Sequence, residues 1–193
     1  MKLKPGINWV SFPRLPEPVW PAHEILEQLT DYPNEIKLKH FKISNDGLHA
    51  RPVEFRWEFG TWTYYFMTHV TATQGYKLTI FPEEERYMIL TGNVADPTTS
   101  IKLWANYDNW IGYFLEEPMR VEDAFEGYWD QIYSVKHQDW VIYGLQAPPP
   151  NPDGSMDFTL RYGDMVIVDV VSDISDFQWP SGDGAAIKTA IRT

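Results

Sequence analysis

Asn8-Trp9-Val10-Ser11-Phe12 and Asn109-Trp110-Ile111-Gly112-Tyr113 follow one pattern in the two halves of a 193-residue chain. Each reads asparagine, tryptophan, a β-branched residue, a small residue and an aromatic. The similarity extends outward from both copies. Upstream, Lys2-Leu3 corresponds to Lys102-Leu103. Downstream, each copy meets a proline-marked bend (Pro13, Pro16 and Pro18; then Pro118) and an amphipathic helical stripe. In the first half the stripe is Ala22, Ile25, Leu26 and Leu29, within Pro21–Leu29. In the second it is Val121, Ala124, Phe125 and Tyr128, with Glu122 and Asp123 in the first turn. Apolar residues at i, i+3, i+4 and i+7 mark one helix face, and proline belongs at a helix start.

The order of elements continues to agree. Ile36-Lys37-Leu38-Lys39-His40 matches Tyr133-Ser134-Val135-Lys136-His137, and Trp62-Thr63-Tyr64-Tyr65 matches Trp140-Val141-Ile142-Tyr143. Gly75–Ile80 matches Gly163–Val168, and Tyr87–Leu90 matches Val171–Phe177. A fixed order of similar segments is the mark of a repeated supersecondary unit. The sequence therefore predicts an internal duplication: residues 1–95 as the first β-rich repeat, 96–180 as the second, and 181–193 as a frayed polar tail. The expected fold is mainly β, a sandwich or barrel-like arrangement with one short helix per repeat and halves facing across an approximate twofold axis. Loops distinguish the halves. The first carries Asn45-Asp46-Gly47, a turn signal, and the second the stiff run Pro148–Gly154.

Composition agrees with β structure. Aromatics are 16% of the chain, including nine Trp and eleven Tyr, and large rings suit a half-buried pleated surface. Trp9 and Phe12 fall on opposite faces of one strand, which places that strand inside a layered fold. Asn8 and Asn109, each next to a turn, are placed to bond turn backbone with their side chains. The net charge of -11 excludes a nucleic-acid partner, because binding phosphates needs a basic footprint. No apolar run is long enough to span a membrane. The chain enters its first strand almost at once, which reads as a segment of a longer polypeptide.

With these segments in place, the chain resembles a family of tandem repeats from bacterial surface and secreted proteins. Its scheme runs Gly-Trp-Asn-(Trp/Leu)-(Ile/Val)-Ser-(Phe/Ile)-Pro, a short helix, a Trp-containing extended segment, a Gly-Tyr strand and a closing strand with Gly. Pro5–Pro13, Trp62, Gly75-Tyr76 and Leu90-Thr91-Gly92 carry it in the first half. Asn109–Tyr113 and Trp140 carry it in the second, which departs at Gly163-Asp164. Ile7 and Asp108 stand where the family's Trp precedes Asn. The resemblance implies a non-catalytic accessory module, extracellular or at the bacterial cell surface, serving adhesion, scaffolding or binding. It implies no catalytic residue.

The residues agree with that expectation. There is no cysteine, nucleophile elbow, zinc-binding His-Glu-x-x-His, phosphate loop or dinucleotide fingerprint. His40 and His137 hold equivalent places and are read as strand-end histidines rather than metal ligands. Glu83-Glu84-Glu85 and Glu116-Glu117 are read as solvated turns. Asn151, Asp153, Ser155 and Asp157 alternate as calcium ligands would, but the late bidentate glutamate is missing. No metal and no cofactor is expected. The expected partner is a protein or a carbohydrate, the alternative role being a carbohydrate-binding module of a secreted glycan-degrading enzyme. Candidate ligand-binding rings are Trp57, Tyr64 and Trp129, while Trp62 and Trp140 are assigned to core packing.

Overall fold

A computed structural model describes residues 1–30, 36–81, 84–143 and 158–180. The calcium-like run, the proline-rich turn and the tail lie outside them. Over the described residues the chain is mainly β, with two short α-helices and several open sheets, none of which closes on itself. The barrel-like alternative is therefore corrected.

The larger sheet contains β1 (Gly6–Ser11), β2 (Ile36–Ile43), β3 (Ala50–Glu58), β4 (Thr61–Tyr65) and β5 (Gly75–Ile80). They lie in the order β1-β5-β2-β3-β4, and every pair is antiparallel. The smaller sheet contains β6 (Asn109–Gly112), β7 (Ile132–Lys136), β8 (Val141–Tyr143) and β9 (Met165–Val170). Its order is β6-β9-β7-β8, also antiparallel. In both sheets the opening strand lies against the closing one, and the two middle strands follow. Among the described residues, β4 has no counterpart beyond β8 in the smaller sheet.

Short ribbons brace each sheet. Lys2–Leu3 pairs with Arg86–Tyr87, and Ile101–Leu103 with Ile174–Phe177. Val19–Pro21 pairs with His69–Thr71 and runs into α1 (Ala22–Leu26); Met119–Arg120 pairs with Thr159–Leu160 and runs into α2 (Val121–Ala124). The first helical stripe falls inward as expected, with Ala22, Ile25, Leu26 and Leu29 buried. In the second, Val121, Ala124 and Phe125 are buried, but the helix ends at Ala124 and Tyr128, beyond it, is half-buried.

Alternation explains the sheets. On β5, Tyr76, Leu78 and Ile80 are buried while Lys77 and Thr79 are half-exposed, a period of two with one apolar face. β9 is buried at Met165, Val166, Ile167, Val168 and Val170, a strand covered on both faces. Apolar residues collect into two clusters. One runs from Leu3 to Met88, the other from Ile101 to Trp179, and Ala95 touches both.

The halves meet along β1, β6 and the starts of β5 and β9. The Ser11 N–H donates to the Gly163 carbonyl (2.7 Å) and the Gly112 N–H to the Thr73 carbonyl (3.0 Å). Bridges link Val10 to Asp164 and Gln74 to Ile111. Two alignments read from sequence need correction. Val141–Tyr143 pairs directly with β7, the place β3 holds against β2, so it does not correspond to Trp62–Tyr65. Asn8 faces Leu78 and Asn109 faces Val168, so by register Met165, not Gly163, stands as far from Val168 along β9 as Gly75 stands from Leu78 along β5.

Candidate functional site

The outward face of the seam is assembled from strand alternation. Register puts Trp9, Lys77 and Lys39 on one face of the larger sheet, and Trp110 and Lys136 on the corresponding face of the smaller. The Lys77 ammonium lies 4.3 Å from the Trp9 ring centre and 4.6 Å from that of Trp110, a cation held by two π-faces. Its pKa is lowered, chiefly by burial, with Lys136 and Lys39 adding to the shift and Asp108 opposing it.

Beside this lysine is an open cleft of about 690 Å³ lined by Phe41 from the first half and by Tyr107, Asp108, Tyr133 and Asp169, among others, from the second. Phe41 stacks on Trp110 at 6.4 Å. Asn106, also at the wall, has a φ of 66°, a conformation asparagine tolerates. Tyr133 sits where the register of β7 shifts between Ile132 and Ser134, a bulge that turns its ring outward. Lys136 ties the two carboxylates together, 2.8 Å from Asp169 and 3.3 Å from Asp108. The Ser134 hydroxyl donates to Asp169 at 2.5 Å. Burial raises the Asp169 pKa, but the bonds from Lys136 and Ser134 outweigh it and hold the carboxyl below its usual range. Burial alone lowers the pKa of Lys136; its two aspartates more than restore it.

The rings singled out in sequence are not gathered here. Trp129 is 8% exposed, packs on Phe125 and gives its indole N–H to the Glu122 carbonyl, so it belongs to the second core. Its candidacy as a stacking ring is corrected. Trp57 is half-buried with one face against Trp62 at 5.0 Å. Tyr64 is exposed, on edge strand β4. Trp62 stacks on Phe55, and Trp140 is buried against His137, both as packing residues.

The two histidines are engaged separately. His40 Nδ1 is 2.9 Å from the Gly75 carbonyl, and burial lowers its pKa to about 4. His137 lies near Asp164 and Asp139. Among the described residues no group of His, Cys, Asp and Glu could hold a metal ion, and no helix is long and apolar enough to cross a membrane. Asn8 and Asn109 bond turn backbone as expected: Asn8 Oδ1 accepts from the Lys4 N–H and Asn109 Oδ1 from the Trp104 N–H, each at 2.8 Å.

No family model, curated protein or solved structure matches this chain.

Proposed function

We propose that the chain is a duplicated, non-catalytic recognition module that binds a carbohydrate in the seam cleft. Duplication is supported by contacts that exchange across the seam. With Val10 matched to Ile111 and Gln74 to Asp164, the Val10–Asp164 bridge becomes the Ile111–Gln74 bridge. With Ser11 matched to Gly112 and Thr73 to Gly163, the Ser11–Gly163 bond becomes the Gly112–Thr73 bond. Reciprocal contacts of this kind are what a twofold axis generates. A domain division near residue 95 accords with the two apolar clusters. The extracellular, cell-surface placement rests on the family resemblance alone.

The observation behind the sugar reading is the cleft wall. Tyr133, Tyr107 and Phe41 offer rings for stacking on a sugar face. Asp108 and Asp169, fixed by one ammonium, offer acceptors for hydroxyl groups. Two close carboxylates also raise a hydrolase reading. Acid-base cleavage of a glycoside needs one carboxyl kept protonated near neutrality. Asp169 is instead held ionised by Lys136 and Ser134, and Asp108 contacts the same ammonium, so neither carboxyl has the apolar, cation-free surroundings that keep a catalytic acid protonated.

Isothermal titration against a broad oligosaccharide panel tests the reading. A saccharide should bind the native chain and lose about tenfold or more in affinity with Tyr133→Ala, one stacking contact. No binding across the panel would defeat the carbohydrate assignment and leave a protein ligand. Turnover of any glycoside, lost in Asp169→Asn, would defeat the non-catalytic one.

A further inference from the structure

We propose that β4 is a self-association edge, pairing antiparallel with β4 of a second copy of this chain. The inference is independent of the sugar reading and concerns the opposite rim of the larger sheet.

β4 is an outermost strand; among the described residues it pairs with β3 alone. From Thr61 to Thr68 the chain has no charged residue and no proline, within a protein of net charge -11. Sheet edges are ordinarily blunted by lysine, proline or a bulge, because an unpaired edge is a template for another strand. β4 has none of these in its own residues. It carries rings instead: Tyr64 is 66% exposed and Tyr65 51%, and Phe59 and Phe66, flanking the strand, are 99% and 68% exposed. Both phenylalanines have left-handed backbone, with φ of 53° and 63°. That conformation is a true outlier for a bulky side chain, and strain retained on a surface points to use. Arg51 and Arg56 hold the Phe66 and Tyr65 rings from β3, at 4.0 and 5.1 Å.

The hairpin fixes which backbone groups are open. Phe59 and Gly60, both with positive φ, make the two-residue turn between Glu58 and Thr61. The flanking pair in such a turn is hydrogen-bonded, and bonding alternates from there. Thr61, Thr63 and Tyr65 therefore bond β3, while Trp62 and Tyr64 direct their N–H and C=O groups outward. A second copy uses all of these groups when the pairing is centred on Thr63, with Trp62 of each copy opposite Tyr64 of the other. The same register sets Phe66 opposite Gly60 of the second copy, one residue from Phe59, and brings no like charges opposite one another within the strands. An aromatic side chain offers about 150–250 Å². The exposed parts of the four rings amount to just under three whole rings per copy, so two copies bring at most on the order of 1000 Å² to the contact, the lower bound for a specific interface.

Sedimentation equilibrium on the full chain tests this, with two variants. The native chain should form a concentration-dependent dimer. Phe59→Asn places Asn-Gly in the turn, so Tm should rise while the dimer weakens about tenfold or more; the opposite signs separate association from folding. Tyr64→Pro removes an outward N–H together with one interface ring, breaks no bond to β3, and should abolish the dimer with the far-ultraviolet circular dichroism retained. If that variant misfolds, Phe59→Asn decides alone. A native chain monomeric at roughly 1 mM, or a dimer unaffected by Phe59→Asn, would overturn the proposal. So would Trp62 and Tyr64 amides equally protected from exchange in dilute monomer.

Discussion

Asn8 and Asn109 stitch their turns to the neighbouring strand with the same bonds. The Asn8 amide donates to the carbonyls of Lys4 (2.8 Å), Gly6 (3.3 Å) and Leu78 (3.5 Å). The Asn109 amide donates to those of Trp104 (2.9 Å), Tyr107 (3.0 Å) and Val168 (2.9 Å). Alanine at either position leaves buried backbone groups without partners, so each substitution should cost about 2–4 kcal/mol, more at Asn109 where the contacts are shorter. Urea unfolding measures this, and a loss below about 0.5 kcal/mol at both would contradict the stitching role. Both roles were legible from sequence, because asparagine beside a turn has few other uses. His40 was less so. It was read as a strand-end residue, whereas β2 continues past it to Ile43, and its burial depends on Tyr76 and Trp110 packing on it from β5 and the other half. Its folded pKa, about 4, lies below the unfolded value, so the unfolded chain takes up the proton first. The resulting stability is present in full above pH 6.5 and is lost as pH falls from there towards 4, on the order of 3 kcal/mol in all. His40→Gln, which retains a donor for the Gly75 carbonyl, should flatten the change in urea midpoint between pH 7 and pH 5. An unaltered slope would assign the acid sensitivity elsewhere.

At the scale of elements, small residues let the strands of the two halves approach. A methyl group on Gly112 would sit 2.5 Å from Ser11 Cβ and 2.6 Å from the Ala72 carbonyl oxygen; one on Gly75 would sit 2.8 Å from Met165 Cβ. Gly112→Ala meets backbone that cannot yield cheaply, so it should destabilise by about 2–3 kcal/mol, and Gly75→Ala by less. Thermal unfolding of the two variants checks the order, and a neutral Gly112→Ala would mean that the seam is looser than its contacts imply. The small residue of the Asn-Trp pattern was visible in sequence, but its reason was not, since the reason lies on the opposite half. Strand existence was readable where one face is apolar, as in β2 and β5. Strand correspondence was readable only where the pairing partner was also known. Matching Trp62 to Trp140 relied on a spacing of Trp and Tyr, which does not encode whether a strand lies next to β2 or one place further out. The cleft was hidden for the same reason. Phe41, Tyr107 and Tyr133 are far apart in sequence, and although Phe41, Asp108, Tyr133 and Asp169 each lie in or next to a matched segment, nothing in those segments shows that they converge.

For the whole molecule, the question is how far each half depends on the other. Each has its own sheet, its own helix and its own apolar cluster. Each also leaves groups of the opposite half in need of partners: Gln138 binds the backbone of Trp9 and Ile7 at 2.7 and 3.1 Å, and Arg14 pairs with Glu116 at 2.7 Å. Exposed ion pairs contribute little, whereas β1 and β6 without their seam neighbours become open edges. Residues 1–95 and 96–193 made as separate chains should therefore each show strand-type circular dichroism but be poorly soluble alone. Mixed, they should form a one-to-one complex in which the Ser11 and Gly112 amides regain slow exchange. Mass measurement and exchange on the mixture decide the matter. A complex that forms while those two amides stay fast would mean that the halves associate through some other surface. Two fragments that ignore each other would mean that the seam is held only by the covalent joint, and the exchange of contacts across it would then not reflect a true interface.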